Sequence, residues 1–223
     1  HGAARLTIAT TDDGIEVSLE SPAANVFGFE HIARVLERQL HQAVLEVNLD
    51  ALSENLRVYR SYLKPSTRLM TMVKAAAYGS GIGEVAKFVE YQNVDYLGVA
   101  YTDEGVALRK AGISLPIMVL NAEPSSFHDL VDFNLEPEVY SFHQLQRLES
   151  VLTELDFSGL FKVHLKVETG MHRLGFDNNQ LGELASKLKH NKKIKVASVF
   201  SHLAASDDPV QRDFTLNQVE KFT

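Results

Sequence analysis

Residues 96–121, YLGVAYTDEGVALRKAGISLPIMVLN, decide the fold. An apolar run, Tyr96–Tyr101, is followed by an amphipathic segment, Asp103–Lys110, and then by a second apolar run, Pro116–Asn121. Short apolar runs that alternate with helix-like segments are typical of β-α units, whose strands pair in a parallel sheet. The stretch therefore predicts one complete β-α-β unit.

The same alternation continues in both directions and gives seven β-α units from Gln42 onward. The other predicted strands are Ala43–Leu49, Arg68–Ala75, Glu136–Ser141, Lys162–Glu168 and Lys195–Leu203. The other predicted helices are Ala51–Leu63, Ile82–Tyr91, Ser126–Phe133, Phe142–Leu155, Asn179–His190 and Val210–Phe222. Seven consecutive units favour an α/β fold of the (β/α)8 TIM-type barrel class, although an open doubly wound sheet would give a similar pattern.

Residues 1–40 have a different character. The segments RLTIAT and IEVSLES predict a hairpin around Asp12-Asp13-Gly14, and a helix is predicted from about Glu30 to Gln39. We interpret residues 1–40 as a separate N-terminal segment and residues 41–223 as the barrel domain. Because the chain starts with His1 and stops at Thr223 within a helical pattern, we expect it to be a fragment.

Composition excludes several classes of protein. The net charge of −7 is spread along the chain with no block of lysine or arginine, so nucleic acid is not an expected partner. Cysteine is absent, which excludes disulfides and thiol nucleophiles. No apolar stretch approaches the roughly 20 residues of a membrane span, so the sequence predicts a soluble, cytoplasmic protein. The nine histidines have no metal-ligand spacing, and no metal site is expected.

Lys74 closes the apolar run Leu69–Lys74 and leads into the small residues Ala75–Gly81. A lysine at the end of a buried strand is poorly solvated, which favours the neutral amine that forms a Schiff base with pyridoxal phosphate. The small residues would let a ring or phosphate approach the backbone, and Tyr78 could supply a hydroxyl. The alternative is a lysine that simply extends into solvent.

In the run Lys162–Glu168, apolar residues alternate with the ionisable residues His164, Lys166 and Glu168. Both faces of a parallel sheet are covered, so this second face is unfavourable unless its groups are paired. The glycine-bracketed segment Thr169–Phe176 follows.

That segment places Arg173 where it could bind an anion or a phenolate oxygen, as part of a site wall. The alternative is an internal ion pair among Lys166, Glu168 and Arg173.

His202 lies near the C-terminal end of the seventh predicted strand. A single histidine there could be a core residue with no catalytic role. However, Lys74, Glu168 and His202 all end separate strands, and barrel active sites are built at those ends. By contrast, Asn121, Glu123 and Glu136 are interpreted as loop polar groups without a recognisable partner, and Asp207-Asp208 as a helix cap.

Three segments resemble the motifs of one family. Residues 73–81, VKAAAYGSG, resemble the cofactor-lysine motif VKANAYGHG of the alanine racemases. Residues 165–175, LKVETGMHRLG, resemble the motif LKxDTGMxRLG, and residues 200–204, FSHLA, are similar to the segment THFA. The resemblance runs from about Val44 to the end and implies the N-terminal barrel domain of a fold type III, pyridoxal-phosphate-dependent alanine racemase.

The resemblance implies roles for individual residues. Lys74 would form the Schiff base with pyridoxal 5'-phosphate and act as one of two bases at the Cα of alanine. Tyr78 would hold the phosphate, Arg173 would bind the phenolic oxygen, and His202 would lie against the pyridine ring. The reaction would interconvert L-alanine and D-alanine and so supply D-alanine for peptidoglycan.

Further positions have supporting roles by the same resemblance. Lys166 would support Arg173, and in some family members this lysine is carbamylated. Glu168 stands where the family usually has Asp, and Met171 belongs to the same motif. Ala76 and Ser80 replace the usual Asn and His.

The family comparison also implies that the match is incomplete. The Ala43–Leu49 strand would lie outside the barrel, which leaves about six of the eight barrel strands. The last strands, the arginine at the pyridine nitrogen and the domain with the second-base tyrosine would be missing. We therefore expect the fragment to be inactive and the full protein to be a homodimer that binds an amino acid.

Residues 26–32, VFGFEHI, are similar to the tail of Mur ligases, which suggests the hypothesis of a ligase–racemase fusion. Two further alternatives stay open at this point. The protein could be a racemase of serine, lysine or ornithine, or a non-catalytic barrel that binds pyridoxal phosphate. The TGMxRLG-like motif argues for a racemase.

Overall fold

The computed structural model describes residues 5–11, 14–20, 44–45 and 47–223. The chain divides into two compact units. The first contains His1–Leu97 and Ala111–Leu115, and the second contains Gly98–Lys110 and Pro116–Thr223.

The first unit begins with a small sheet of three strands, β1 (Arg5–Thr11), β2 (Gly14–Glu20) and β3 (Val44–Leu45). Strands β1 and β2 are antiparallel, with Thr11 opposite Gly14, which confirms the predicted hairpin. Strand β3 pairs with β2, so Val44 and Leu45 of the first predicted run lie outside the larger sheet, as the resemblance implied. The helix predicted from Glu30 to Gln39 lies outside the described residues.

The rest of the first unit carries the first elements of the main fold. They are α1 (Leu49–Ser61), β4 (Met70–Met72), the helical turn Lys74–Tyr78, α2 (Ile82–Tyr91) and the start of β5 (Tyr96–Val99). The Asn48 side chain accepts a hydrogen bond of 3.0 Å from the amide of Ala51, which satisfies one of the free donors at the start of α1.

The second unit continues the alternation to the end of the chain. Its helices are α3 (Thr102–Lys110), α4 (Phe127–Asp132), α5 (Phe142–Glu154), α6 (Leu181–Lys189) and α7 (Arg212–Phe222). Its further strands are β6 (Ile117–Val119), β7 (Glu136–Val139), β8 (Phe161–Lys166) and β9 (Ile194–Phe200). Short 3-10 turns, Pro124–Ser126, Asn178–Gln180 and Pro209–Gln211, precede α4, α6 and α7.

Strands β4 to β9 form a parallel sheet whose spatial order follows the sequence order. Glu138 of β7 lies opposite His164 of β8, and Leu165 lies opposite Val199 of β9. A doubly wound sheet reverses its strand order at a switch point, whereas a barrel does not. The sequential order therefore decides between the two architectures that the periodicity left open.

The positions of the helices and strands follow from the apolar side chains that they bury. The core of the second unit consists of side chains from strands and from the inner faces of helices, among them Val99, Leu108, Ile117, Val119, Phe127, Leu130, Leu135, Leu148, Leu152, Val163 and Phe176. These residues recur at strand and helix periods, which is why the predicted helix boundaries agree with the observed ones to within about two residues.

Two absences concern only the part of the chain that the structure describes. Within it, no helix combines the length and the apolar character needed to cross a bilayer. Within it, too, no three acidic, histidine or cysteine side chains come together as a metal site would require.

Candidate active site

Lys74 follows β4 and is separated from it by one residue, the fully buried Val73. The next residues do not continue in a right-handed conformation. Ala75, Ala76 and Ala77 have φ of 51°, 54° and 53° with ψ of 51°, 43° and 48°, and Tyr78 has φ of 57°. The lysine is therefore followed by one turn of left-handed helix.

Main-chain hydrogen bonds close this turn. The amide of Ala77 donates to the Val73 carbonyl at 2.9 Å, and the amide of Gly81 donates to the Ala76 carbonyl at 3.0 Å. Each L-residue in this conformation costs roughly 1–2 kcal/mol, and such strain is concentrated at functional sites. The strained turn is thus a physical reason to regard the lysine it follows as functional.

Lys74 and Tyr78 are brought together by the turn. The Nζ atom of Lys74 lies 5.8 Å from the centre of the Tyr78 ring, and both side chains are half-buried. The amine of Lys74 thereby lies near the ring of Tyr78 within the first unit.

In the second unit, a buried polar network occupies the ionisable face of β8. The Nε2 atom of His164 lies 3.0 Å from Oε2 of Glu136, and its Nδ1 lies 2.7 Å from Oγ of Ser198. Lys162 donates to Oε1 of Glu136 at 3.0 Å. The interpretation of Glu136 as a loop group without a partner was wrong, because this residue begins β7 and is buried.

The network controls the charge on Glu136. Burial opposes ionisation of this carboxyl, but the hydrogen bonds from His164 and Lys162 outweigh it and lower its pKa. Glu136 is therefore an anion at neutral pH.

Glu138 lies two residues further along the same strand and is fully buried. Its Oε1 is 3.3 Å from Nζ of Lys166, which is also buried. Burial raises the pKa of Glu138 to about 7, against the opposing effects of Lys166 and Arg173. Glu138 is not among the residues that the sequence pattern predicts for the site, because its partner Lys166 lies on another strand and the register of the strands cannot be read from the sequence.

One alternative predicted an ion pair among Lys166, Glu168 and Arg173. That alternative named the wrong acidic residue. Lys166 pairs with Glu138, and the carboxylate of Glu168 instead accepts hydrogen bonds from the amides of Gly170 and His172. Glu168 thus shapes the loop that carries Arg173.

The loop from Thr169 is tied to the end of β9. The hydroxyls of Thr169 and Ser201 are 2.7 Å apart, and Ser201 donates to the Val167 carbonyl at 2.8 Å. Arg173 and His202 have exposed side chains, and Met171 is half-buried. The arginine and the histidine are therefore accessible to a ligand.

Gln218 of α7 is a further residue that the sequence did not single out. Only 1 % of it is exposed, and its Nε2 donates to Oγ1 of Thr169 at 3.2 Å and to the His202 carbonyl at 3.0 Å. Its Oε1 accepts from the amide of Ala204 at 2.9 Å. One buried amide thus joins the loop and the strand end that carry Arg173 and His202.

Comparison with known proteins decides the family. The family model described as "Alanine racemase, N-terminal domain" matches residues 47–223, which is more than half of the chain. The chain belongs to the alanine racemase family.

Curated members of this family cover most of the chain. An alanine racemase of Nostoc sp. is 36 % identical over 170 residues, which are 75 % of this chain and 44 % of that protein. An amino-acid racemase of Enterococcus faecalis is 37 % identical over 186 residues, which are 81 % of this chain and 25 % of that protein. The chain therefore spans about half the length, or less, of the racemases it matches.

Solved racemase structures confirm the barrel class. The alanine racemase of Clostridium difficile 630 shares 34 % identity with a TM-score of 0.74, over 79 % of this chain and 46 % of that one. Another structure of that racemase is a complex with cycloserine. The six parallel strands alternating with helices are thus part of the N-terminal barrel of the family.

The N-terminal segment matches a different model. Residues 1–60 match the model described as "ZrgA family zinc uptake protein". These matches give no support to the hypothesis of a Mur ligase tail in residues 1–40.

The predicted site residues of the racemase motifs divide between the two units. Lys74 and Tyr78 belong to the first unit, while the loop of Arg173 and the strand end of His202 belong to the second. In the first unit β4 leads into Lys74 and Tyr78, and in the second unit β8 leads into the loop of Arg173 and β9 leads into His202.

Proposed function

We propose that the full protein containing this chain interconverts L-alanine and D-alanine, with pyridoxal 5'-phosphate as its cofactor, and thereby supplies D-alanine for peptidoglycan. One observation carries the proposal. Lys74 lies one residue beyond the end of β4, at the start of a left-handed turn that brings the Tyr78 ring to 5.8 Å from its amine.

The residues present fit the chemistry of pyridoxal phosphate. The aldehyde of the cofactor forms a Schiff base with an amine, and Lys74 provides one. Its phosphate binds hydrogen-bond donors, and the Tyr78 hydroxyl is such a donor. The phenolate oxygen of the cofactor can bind a cation such as the exposed Arg173. Its pyridine ring can pack against a planar side chain such as the exposed His202. No group in this set demands a metal.

When bound, the cofactor delocalises the electron pair left at Cα and so makes that carbon acidic. The residues of this chain bind and orient it. The amine of Lys74 would hold the cofactor at its aldehyde, and the same amine would take or give the Cα proton on one face of the amino acid. Tyr78 would donate a hydrogen bond to the phosphate, Arg173 would donate to the phenolic oxygen, and His202 would bind the ring.

The second base and a dimeric, cytoplasmic protein follow from the family resemblance and stay predictions. Because the chain covers 46 % of the Clostridium difficile racemase, we expect racemisation from the full protein and none from these 223 residues alone.

The test measures D-alanine formed from L-alanine by the full protein. Lys74→Ala should lower kcat/KM by about 10³-fold or more, because the covalent attachment and one base are lost together. Borohydride should fix the cofactor to the unsubstituted protein and not to Lys74→Ala. Lys87→Ala, which removes an exposed lysine of α2 in the same unit, should change neither result. Cofactor fixed equally to Lys74→Ala would refute the assignment.

A second candidate is a racemase of another amino acid, favoured by the amino-acid racemase of Enterococcus faecalis at 37 % identity. A panel of L-alanine, L-serine, L-lysine and L-ornithine separates the two. A kcat/KM highest for L-alanine supports the first proposal, and a higher value for another substrate supports the second.

A further inference from the structure

The carboxylate of Glu138 is fully buried, yet neither of its oxygens has a hydrogen-bond partner among the residues that the structure describes. A buried carboxylate is unfavourable by several kcal/mol unless nearby positive charges or donors compensate it. Native proteins leave few such groups unsatisfied, so this one requires an explanation.

Two positive charges act on Glu138. Nζ of Lys166 is 3.3 Å from Oε1, and the charge of Arg173 also favours the ionised carboxylate. Lys166 itself has only 7 % of its side chain exposed, and its Nζ lies 5.4 Å from the centre of the Phe200 ring. The buried ammonium thus needs an anion as much as Glu138 needs a cation.

The two strands beside β7 provide no hydrogen-bond partner for Glu138 among the described residues. His164, opposite Glu138 in the register, is already engaged by Glu136 and Ser198. Strand β6, on the other side of β7, contributes only the apolar residues Ile117–Val119. Oε2 of Glu138 therefore remains available to a donor.

Building on the proposed function, we propose that Glu138 is a positioning residue for the cofactor site. Its Oε1 holds the ammonium of Lys166 at 3.3 Å, and the charge of the carboxylate attracts the guanidinium of Arg173 without a direct hydrogen bond. The arginine is thereby oriented toward the phenolic oxygen that the proposed function assigns to it. A carboxylate paired with Lys166 also offsets the repulsion between the charges of Lys166 and Arg173.

The proposal implies a pH dependence. Burial raises the pKa of Glu138 to about 7, so the carboxylate is largely neutral below this pH and ionised above it. The neutral acid has lost the charge that orients the two cations. Cofactor binding should therefore strengthen as the pH rises through neutrality.

The experiment titrates the full protein with pyridoxal phosphate, followed by absorbance, at pH values on both sides of neutrality. Glu138→Gln should weaken binding several-fold above neutrality and make the rise with pH smaller, leaving only the part that comes from groups other than Glu138. Its kcat/KM for the racemised amino acid should fall by about 10- to 100-fold, as expected for a misplaced active-site group. Glu138→Asp, which retains a carboxylate, should restore the pH dependence. Glu154→Gln, at an exposed ion pair of α5, is the matched control.

The outcomes separate the two proposals. If the unsubstituted protein binds the cofactor and Glu138→Gln keeps the same affinity and pH profile, the positioning role is wrong and the proposed function stands. If the unsubstituted protein binds no cofactor, the proposed function is wrong and the role falls with it. Should Glu138→Gln not fold, the double variant Glu138→Gln/Lys166→Met removes both buried charges and takes its place. A rise with pH in that variant as large as in the unsubstituted protein would overturn the proposal.

Discussion

Nε2 of His164 lies 3.0 Å from Oε2 of Glu136, and both side chains are almost fully buried between neighbouring strands. The glutamate also accepts a hydrogen bond from Lys162, and the histidine contacts Ser198. The ionisable face of β8 is therefore compatible with a covered sheet, because its charges are paired across strands.

Glu136→Gln should destabilise the protein by about 1–3 kcal/mol at neutral pH, because a charge-assisted pair in a buried network is replaced by a neutral one. The pKa of Glu136 is lowered in the folded state, so its contribution is present above about pH 4.5 and is lost as the pH falls through that lowered pKa. Urea unfolding across this range measures it.

Glu54→Gln is the control for this prediction. Glu54 makes an exposed pair with Arg57 on α1, so the free energy of unfolding should hardly change. Equal effects of the two substitutions would show that the buried network adds nothing to stability.

The contribution of Glu138 to the free energy of unfolding should change with pH in the opposite direction to that of Glu136. Its pKa is raised from 4.5 to about 7, so the folded state binds the proton more tightly than the unfolded chain does. Its contribution is therefore greatest below pH 4.5, falls as the pH rises and levels off above about pH 7. Over this pH range the contribution of Glu138 to the free energy of unfolding falls by an amount of the order of 3 kcal/mol.

The measurement is the difference in free energy of unfolding between the unsubstituted protein and Glu138→Gln, which cannot titrate at this position. This difference should decline through the stated pH range. A constant difference from acid to neutral pH would contradict a raised pKa in the folded state.

These pairings show where sequence reasoning reached its limit. Periodicity predicted the helix Ile82–Tyr91 without error and placed Lys166 on an ionisable face. It could not pair Lys166 with Glu138, because a lysine has no preferred partner until the register of two strands is known. Nor could it predict the turn after Lys74, because three successive alanines favour a right-handed helix when judged by propensity alone.

The left-handed turn predicts an unusual response to one substitution. Ala76 has φ of 54°, where glycine has no steric penalty, so Ala76→Gly should leave stability unchanged or raise it by up to about 1 kcal/mol. Ala107→Gly, at an exposed position of the right-handed helix α3, should lower stability by about 1 kcal/mol. Thermal unfolding of both variants tests the conformation directly, since a loss for Ala76→Gly as large as that for Ala107→Gly would contradict the left-handed turn.

Gly175 closes the loop that carries Arg173 and should tolerate no side chain. Its φ is +138°, and an added Cβ would lie 2.6 Å from the amide nitrogen of Glu168 and 2.8 Å from the carbonyl carbon of Val167. Both atoms belong to the main chain and cannot rotate away. Gly175→Ala should therefore destabilise the protein by about 2 kcal/mol or more.

Gly182→Ala provides the comparison for that loop. Nothing lies within 4 Å of a Cβ at this position in α6, so stability should stay the same or rise slightly. Denaturant midpoints of the two variants should move in opposite directions or differ clearly in size. A Gly175→Ala variant as stable as Gly182→Ala would show that the loop can open without loss.

Gln218 joins the Thr169 loop to the end of β9 through a single buried amide, and this arrangement predicts a change in both stability and cofactor binding. In Gln218→Glu, an oxygen replaces the NH2 group, so it would face the His202 carbonyl, which is also an acceptor. The substitution should cost about 2–3 kcal/mol, because buried acceptors lose their donor. It should also weaken pyridoxal phosphate binding if His202 contacts the ring, since the loop and the strand end are no longer held together.

Gln146→Glu, at an exposed position of α5, should change neither property. Weaker binding with unchanged stability would assign Gln218 to the ligand itself, and a loss of stability with unchanged binding would remove His202 from the cofactor site.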